Sequence, residues 1–229
     1  MTYQYLAMWD RVLPDGLAFC HWGGRRLSRY VFGKLQPIPQ TTLDLCCGRG
    51  GSLSLIGGGH GIDIDAVAIA DACRVSPQAS FVTGDAFALP YGDACFTHCY
   101  SQDPDILLSH RFPAAIREAQ RVLVSGGRFA LQCYARSDDA TGSMLDSATQ
   151  TLAASGYQGI PRTLLDISSA LQQWFTITEC VDLHTVYAED TRRMLRQSAG
   201  SSLEPLFALE QELFARRNWT GTLFLATKQ

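Results

Sequence analysis

The sequence predicts an α/β protein built on a doubly wound, mostly parallel sheet with helices on both faces. Two observations carry that reading. Short apolar runs alternate with segments of helical period, as parallel strands require, because the chain must cross back to the same edge before it can pair again. Several of those runs end in an acid beside glycine, as at Leu43-Asp-Leu-Cys-Cys-Gly-Arg-Gly-Gly51, His60-Gly-Ile-Asp63 and Ser80-Phe-Val-Thr-Gly-Asp85. In sheets of this kind ligands lie outside the carboxyl ends of the strands, and that is where these acids fall.

The first forty residues show no clear strand but are rich in aromatics: Tyr3, Tyr5, Trp9, Phe19, Trp22, Tyr30 and Phe32. They are expected to form a helical cap, residues 1–36, in which Phe19-Cys-His-Trp-Gly-Gly24 suits a loop folded over a pocket mouth. Packing alone is the competing account of His21 and Trp22. Pro37 and Pro39 separate this cap from the first strand, which ends at Asp44. The following helix must be short, because Gly57-Gly58-Gly59 interrupts it within two turns. A second strand ends at Asp63, and Asp65 then reads as the N-cap of Ala-Val-Ala-Ile-Ala-Asp-Ala-Cys-Arg. Ser80 to Ala86 is a third strand and Ala94 to Tyr100 a fourth, ending in Ser101-Gln102-Asp103, with His98 inside it as a core histidine. Pro113 to Leu123 is helical, with Ile116, Ala119, Val122 and Leu123 on one face and Arg117, Glu118 and Arg121 on the other. Val124-Ser-Gly-Gly127 closes it, and Arg128 to Tyr134 is a fifth strand. Beyond it come helices at Ser143–Ser155, stopped by Gly156, and at Asp166–Trp174, then a strand at Phe175–Leu183, helices at Glu189–Ser198 and Leu203–Arg217, and a last strand at Thr220–Thr227. Asp138-Asp139 reads as a solvated turn before it reads as a lid switch.

At 229 residues the chain suits one domain: the cap, a core over 40–135, lid helices and the sixth strand over 136–217, and the last strand over 218–229. A hydrophobic content of 46% with 18% charged residues is ordinary for a soluble globular protein, and no apolar run approaches the ~20 residues of a membrane span. The start has no basic region followed by an apolar one, so no export signal is expected. A net charge of −3 without a basic run argues against nucleic acid as partner. Eight cysteines spread through strands and helices fit reduced thiols in the cytoplasm, most of them small core residues. Cys95 and Cys99 lack a second pair at zinc-finger spacing, so no metal is expected. A small molecule is the expected partner, and a homodimer is left open.

The acid at Asp44 selects among nucleotide ligands. Gly48 and Gly50 have no Cβ and let the main chain bend close to a ligand. A carboxylate at this turn repels a pyrophosphate and favours an ammonium group, which points to S-adenosylmethionine before NAD. Asp63, nineteen positions beyond Asp44, can accept two hydrogen bonds from a ribose diol, with Ile64 beside it. Asp85 can accept from the exocyclic amine of adenine while the Ala86 amide donates to the ring. Ser101 falls at the same end of the sheet.

In these stretches the chain resembles the class I S-adenosylmethionine-dependent methyltransferases, especially their small-molecule branch. The resemblance is close over about residues 40 to 135. Leu-Asp-Leu-Cys-Cys-Gly-Arg-Gly is similar to the family's first motif, Gly-Ile-Asp63 to its ribose-binding strand end, Gly-Asp-Ala86 to its adenine-binding turn, and Arg-Val-Leu-Val-Ser-Gly-Gly-Arg-Phe to the motif entering the fifth strand. Tyr-Ser-Gln-Asp103 additionally resembles the fourth-strand end of methyltransferases of sarcosine, phosphoethanolamine and sterol type, and His21-Trp-Gly-Gly24 resembles their N-terminal cap. The resemblance implies a Rossmann-like sheet whose last two strands pair antiparallel at its edge, with inserted helices as a substrate lid. Two departures stand out. Cys46 occupies a usual glycine position, with its thiol facing or flanking the methionine moiety. Arg49 replaces a usual Thr or Ser at a helix N-terminus, an electrostatically poor place for a cation unless an anion is near.

The function expected is methyl transfer to a small, largely apolar or aromatic metabolite. Trp22 and Gln102 are the candidate substrate contacts, and His21, Asp103 and His110 are candidate general bases if the acceptor must lose a proton. One alternative is a protein of this fold that keeps the cofactor pocket but cyclises or only binds. Another is an NAD-dependent oxidoreductase, since Cys46-x-Gly48-x-x-Gly51 nearly spells a dinucleotide loop. The missing first glycine and the acid at Asp44 count against the latter.

Overall fold

The structure is a computed structural model, and it describes residues 10, 12–13, 15–138, 143–154 and 159–229. Tyr3, Tyr5, Trp9, Asp139 and the helix stop at Gly156 lie outside these residues. The strands are β1 Thr42–Leu45, β2 His60–Asp63, β3 Ser80–Thr83, β4 Phe96–Gln102, β5 Leu123–Arg136, β6 Phe175–Asp182 and β7 Trp219–Lys228. The helices are α1 Gly24–Leu35, α2 Gly51–Ser54, α3 Ala66–Val75, α4 Phe112–Val122, α5 Ser143–Ala154, α6 Leu164–Gln172, α7 His184–Ser198 and α8 Glu204–Ala215.

All seven strands form one sheet in the order β3-β2-β1-β4-β5-β7-β6. The first five run parallel. β7 lies antiparallel between β5 and β6, so the last strand is interior and β6 takes the edge. The chain winds outward from β1 to β3 and then crosses back to β4, which makes the gap between β1 and β4 the point where strand order reverses and a crevice opens.

Strands covered on both faces need apolar side chains on both, which is why Leu43 and Leu45 sit with Thr42 and Asp44 in a strand with no exposed residue. On one face Leu27, Val31, Phe32 and Leu35 of α1 pack with Tyr187 and Met194 of α7 and with Phe207 and Phe214 of α8. On the other, Phe112, Ala115, Ile116 and Ala119 of α4 join Ile167 and Leu171 of α6 beneath Phe129 and Leu131. The face predicted for α4 is therefore the one it buries.

The elements differ from expectation where tertiary pairing or caps decide. β5 begins at Leu123, because that residue pairs with Phe96 ahead of the Gly126-Gly127 stop. α6 begins at Leu164, since Thr163 and Asp166 form a reciprocal capping box. α7 begins five residues before Glu189: the Asp182 carboxylate accepts from the His184 amide at 2.7 Å and fixes the entry, while Thr185, Val186 and Tyr187 weaken the local helix signal. α1 is a layer of the core, with its Phe32 ring edge-on to Tyr100 at 4.9 Å. It is not a detachable cover. All eight cysteines are free, yet Cys20, Cys73, Cys95 and Cys180 are exposed, so fewer serve the core than expected. No described helix is long and apolar enough to cross a membrane.

Gly221 shows how tightly the lid meets the sheet, since a Cβ there would overlap the Tyr187 ring of α7. Gly33, exposed in α1, has open space around the same atom. Gly221→Ala is expected to lower the urea midpoint by the equivalent of about 1–3 kcal/mol, the usual cost of overpacking. Gly33→Ala is expected to raise it by about 0.5–1 kcal/mol through helix propensity.

Candidate active site

The turn after β1 brings three strand ends together. Gly50 stands at φ 73°, and a Cβ there would meet Phe81 and Ala72, so the turn needs glycine. Cys46, where a glycine was the expected residue, also takes a left-handed φ of 62°, a conformation that costs a non-glycine residue about 1–3 kcal/mol. Asp63 closes the turn from β2: its Oδ2 accepts from the Gly48 amide at 2.8 Å and its Oδ1 from the Asp65 amide at 3.0 Å. Asp65 caps α3 by accepting from the Val67 amide at 2.8 Å. The anion that Arg49 requires is Asp71 of α3, with which it forms an ion pair.

Above this turn lies a cavity of about 320 Å³. Cys46, Gly48, Asp63, Ile64, Asp85, Ala86, Gln102 and Asp103 line it from the sheet, and Leu13, Leu17, His21, Trp22, Tyr134, Met194 and Glu210 from the cap, β5 and lid helices. Ile64 is 75% exposed and forms an apolar lip. Asp85 accepts from the Phe87 amide at 2.9 Å and stands 3.8 Å from Arg111. A smaller recess of about 40 Å³ shares Cys46, Gly48, His21 and Gln102 with it and reaches Asp44. Burial raises the Asp44 carboxyl to about 8, although the Tyr100 hydroxyl donates to it at 2.8 Å.

A buried polar network ties the cavity walls together. Asp103, at a left-handed φ of 46°, accepts from the Trp22 amide (2.9 Å), Gln132 Nε2 (3.0 Å) and the Tyr187 hydroxyl (2.6 Å). Burial pushes its carboxyl up to about 7 against the pull of those three donors. Gln102 donates to Gln132 Oε1 at 2.5 Å and accepts from the Ser52 hydroxyl at 2.9 Å. His21 Nδ1 lies 3.1 Å from the Trp22 carbonyl, to which it must donate, so Nε2 is left to accept from the Ser28 hydroxyl at 2.9 Å. Burial lowers its pKa to about 4, so the ring is neutral. Trp22 both lines the cavity and packs, with ring contacts to Tyr187, Phe207 and Phe214.

Two predicted site residues stand apart. Ser101 is buried with its hydroxyl donating to the Leu45 carbonyl at 2.5 Å, where it joins β4 to β1 and lines neither cavity. His110 is exposed in the turn before α4 and also lies outside both linings. Gln132, Tyr187 and Glu210 were not singled out from the sequence. The signal for two of them was available: Gln132 is a polar residue inside an apolar strand, and Glu210 interrupts the stripe Leu206, Phe207, Leu213, Phe214 at helical spacing. Among the described residues no three His, Cys, Asp or Glu side chains converge to hold a metal.

Comparison with known proteins agrees with this architecture. Residues 42–127 match a family described as a methyltransferase domain. An uncharacterised methyltransferase of Synechocystis is 33% identical over 140 residues, 57% of this chain and 65% of that protein. The 2-phytyl-1,4-naphtoquinone methyltransferase of Thermosynechococcus vestitus is 36% identical over 147 residues, 55% of this chain and 62% of that protein. The chain thus spans just under two thirds of the length of either relative. Among solved structures, phosphoethanolamine N-methyltransferase 2 of Haemonchus contortus superposes with a TM-score of 0.82 at 16% identity, covering 97% of this chain and 56% of that one, a likeness of fold. The fold is that of the class I S-adenosylmethionine-dependent methyltransferases.

Asp103→Ala would leave the Trp22 amide and the buried Tyr187 hydroxyl without their acceptor, while Gln132 Nε2 keeps the Trp22 carbonyl and the Tyr187 oxygen. Loss of at least about 2 kcal/mol of stability in chemical denaturation is expected, since each buried group left unpaired costs about 1–3 kcal/mol. Asp103→Asn, which keeps one accepting oxygen, should lose less.

Proposed function

We propose that the protein binds S-adenosylmethionine and transfers its methyl group to a small, largely apolar or aromatic metabolite. One observation carries the reading: Asp44, Asp63 and Asp85, from three adjacent strands, converge on one glycine turn and its joined cavities. Each of the two Asp63 oxygens accepts one main-chain amide and keeps a lone pair for a ribose hydroxyl. Asp85, with the Ala86 main chain beside it, suits the adenine edge, and Ile64 offers an apolar face to the ring. Asp44 in its recess suits the amino end of the methionine moiety, directly or through water. The names of the relatives above, both methyltransferases, support the same reading.

When bound, S-adenosylmethionine supplies a methyl group already made electrophilic by its positive sulfur. The residues then have to orient the acceptor and keep water out. Trp22, Leu13, Leu17 and Met194 cover the acceptor side. His21 and Asp103 serve this reading as positioning groups, because both ring nitrogens of the one and both oxygens of the other are engaged within the protein. No proton transfer is assigned to His110, which lies outside the cavity.

Calorimetric titration tests the reading. S-adenosylhomocysteine is expected to bind and to raise the melting temperature, and NAD to do neither. Binding of NAD without any response to S-adenosylhomocysteine would reject it. Binding of labelled S-adenosylmethionine with no labelled product across an acceptor panel would move the reading to a cyclase or a binding protein. In the same titration Asp63→Ala should weaken binding at least tenfold, since charge-assisted bonds contribute about 1.5–3 kcal/mol each, and Asp65→Ala much less. Equal affinities for wild type and Asp63→Ala would show the sugar is held elsewhere.

The raised Asp44 pKa gives a pH dependence with a defined sign. Below about 8 its carboxyl holds a proton that an approaching ammonium must displace. Affinity for S-adenosylmethionine is therefore expected to climb from pH 6 towards 8, by up to about tenfold per unit. In Asp44→Asn the affinity should be weaker and the acid limb flat. A wild-type limb as flat as that of the variant would remove Asp44 from the recognition of the amino group.

A further inference from the structure

We propose that Glu210 anchors the acceptor, taking a hydrogen bond from an amine nitrogen on a small and otherwise apolar molecule. The proposal deepens the methyl-transfer reading and rests on it for the site it describes. Glu210 projects from α8 into the cavity wall and is only 6% exposed, and its Oε2 is buried without a hydrogen-bond partner. The other acids of the cavity contrast with it. Asp103 is saturated by three donors, Asp63 holds the glycine turn, and Asp85 holds the Phe87 amide with Arg111 near by at the rim. Asp105 also lines the cavity but is exposed, so among the described residues Glu210 is the buried lining acid with no task assigned inside the protein.

Its position on the helix sharpens the point. Leu206, Phe207, Leu213 and Phe214 of α8 are all buried in the core, so an apolar residue at 210 would complete the stripe. One oxygen of a carboxyl there, Oε2, has neither solvent nor a donor among the described residues, a combination that calls for an explanation in a folded protein. A ligand that brings the missing donor supplies one. Burial, with Asp103 adding to it, raises the Glu210 carboxyl to about 8, so it can meet an amine as acid or as carboxylate near neutral pH.

The charge of the walls selects the class of acceptor. The described lining carries Asp63, Asp85, Asp103, Asp105 and Glu210 and has no lysine or arginine. An acceptor bearing a carboxylate or phosphate would meet repulsion and find no cation, whereas an amine gains from the same field. Trp22 and Tyr134 in the walls add aromatic faces that tolerate a cation. Leu13, Leu17 and Met194 are left for the apolar remainder.

The test uses the full chain saturated with S-adenosylhomocysteine, whose own binding is measured first. A fragment set of apolar amines, alcohols and carboxylates matched in skeleton is then screened by thermal shift, and the hits are titrated calorimetrically. Amines are expected to predominate and to bind at least tenfold more tightly than their matched alcohols, with carboxylates absent. Glu210→Leu should reduce amine affinity at least tenfold and leave that for S-adenosylhomocysteine unchanged. Glu210→Gln, similar in size and neutral, covers the case in which the leucine variant does not fold and should lose at least threefold. Hits dominated by carboxylates or alcohols, amines that bind both variants as tightly as wild type, or no amine binding by a protein that binds S-adenosylhomocysteine would each overturn the proposal. Failure to bind S-adenosylhomocysteine would instead overturn the underlying reading, and it is seen before any amine is added.

Discussion

The site depends on keeping a carboxylate and two amides satisfied away from water. Asp103 at the end of β4 gathers the main chain of the cap through Trp22, the fifth strand through Gln132 and the lid through Tyr187. These contacts join parts of the chain that are far apart in sequence, and each would be costly to leave unmade once buried. The left-handed backbone at Asp103 is held against its own preference by the same bonds. Gly23 extends the clamp, its amide donating to Asp190 of α7 at 2.5 Å. Cap and lid are thus fixed to the sheet by hydrogen bonds at the very place where they enclose the cavity.

That arrangement explains why a segment that reads as a flap behaves as core. Aromatic density around Phe19 and Trp22 signals burial but does not say against what. The indole of Trp22 is packed by Tyr187, Phe207 and Phe214, all from the last quarter of the chain. No local pattern in the first forty residues encodes those partners. The same holds for His21, whose two nitrogens are occupied by Trp22 and Ser28.

What could be read from the sequence follows the same division between local and distant causes. The parallel core and the strand-end acids that line its cavity and recess were legible, because strand, glycine turn and acid lie within a few residues of each other at Asp44, Asp63 and Asp85. The Asp65 cap and the buried face of α4 were legible for the same reason. The left-handed backbone at Cys46 hides behind a residue type that normally avoids it. The insertion of β7 between β5 and β6 is a matter of long-range pairing. Ser101 and His110 were placed at the site by proximity to a strand end and by residue type, but orientation decided otherwise: one faces Leu45 inside the sheet, the other stands in an exposed turn.

The acids around the cavity differ in how far the protein itself satisfies them, and that gradient orders their tasks. Asp63 and Asp85 stand at strand ends, where main-chain amides of the following turns are within reach. A carboxylate placed there is stabilised before any ligand arrives, and its remaining lone pairs can be shared. Asp44 has one hydroxyl from Tyr100 and lies at the back of a narrow recess, so a cationic group reaching it would replace a proton. Glu210 comes from the middle of a helix, whose own amides are already paired, and its Oε2 finds no hydrogen-bond partner among the described residues. Parallel strands therefore hand their acids ready partners at one wall, while at the other the lid presents an acid with a buried oxygen that none of the described residues satisfies. A site so built is preorganised on the side of the sheet and incomplete on the side of the lid, the asymmetry expected where one ligand is common to a fold and the other is particular to the chain.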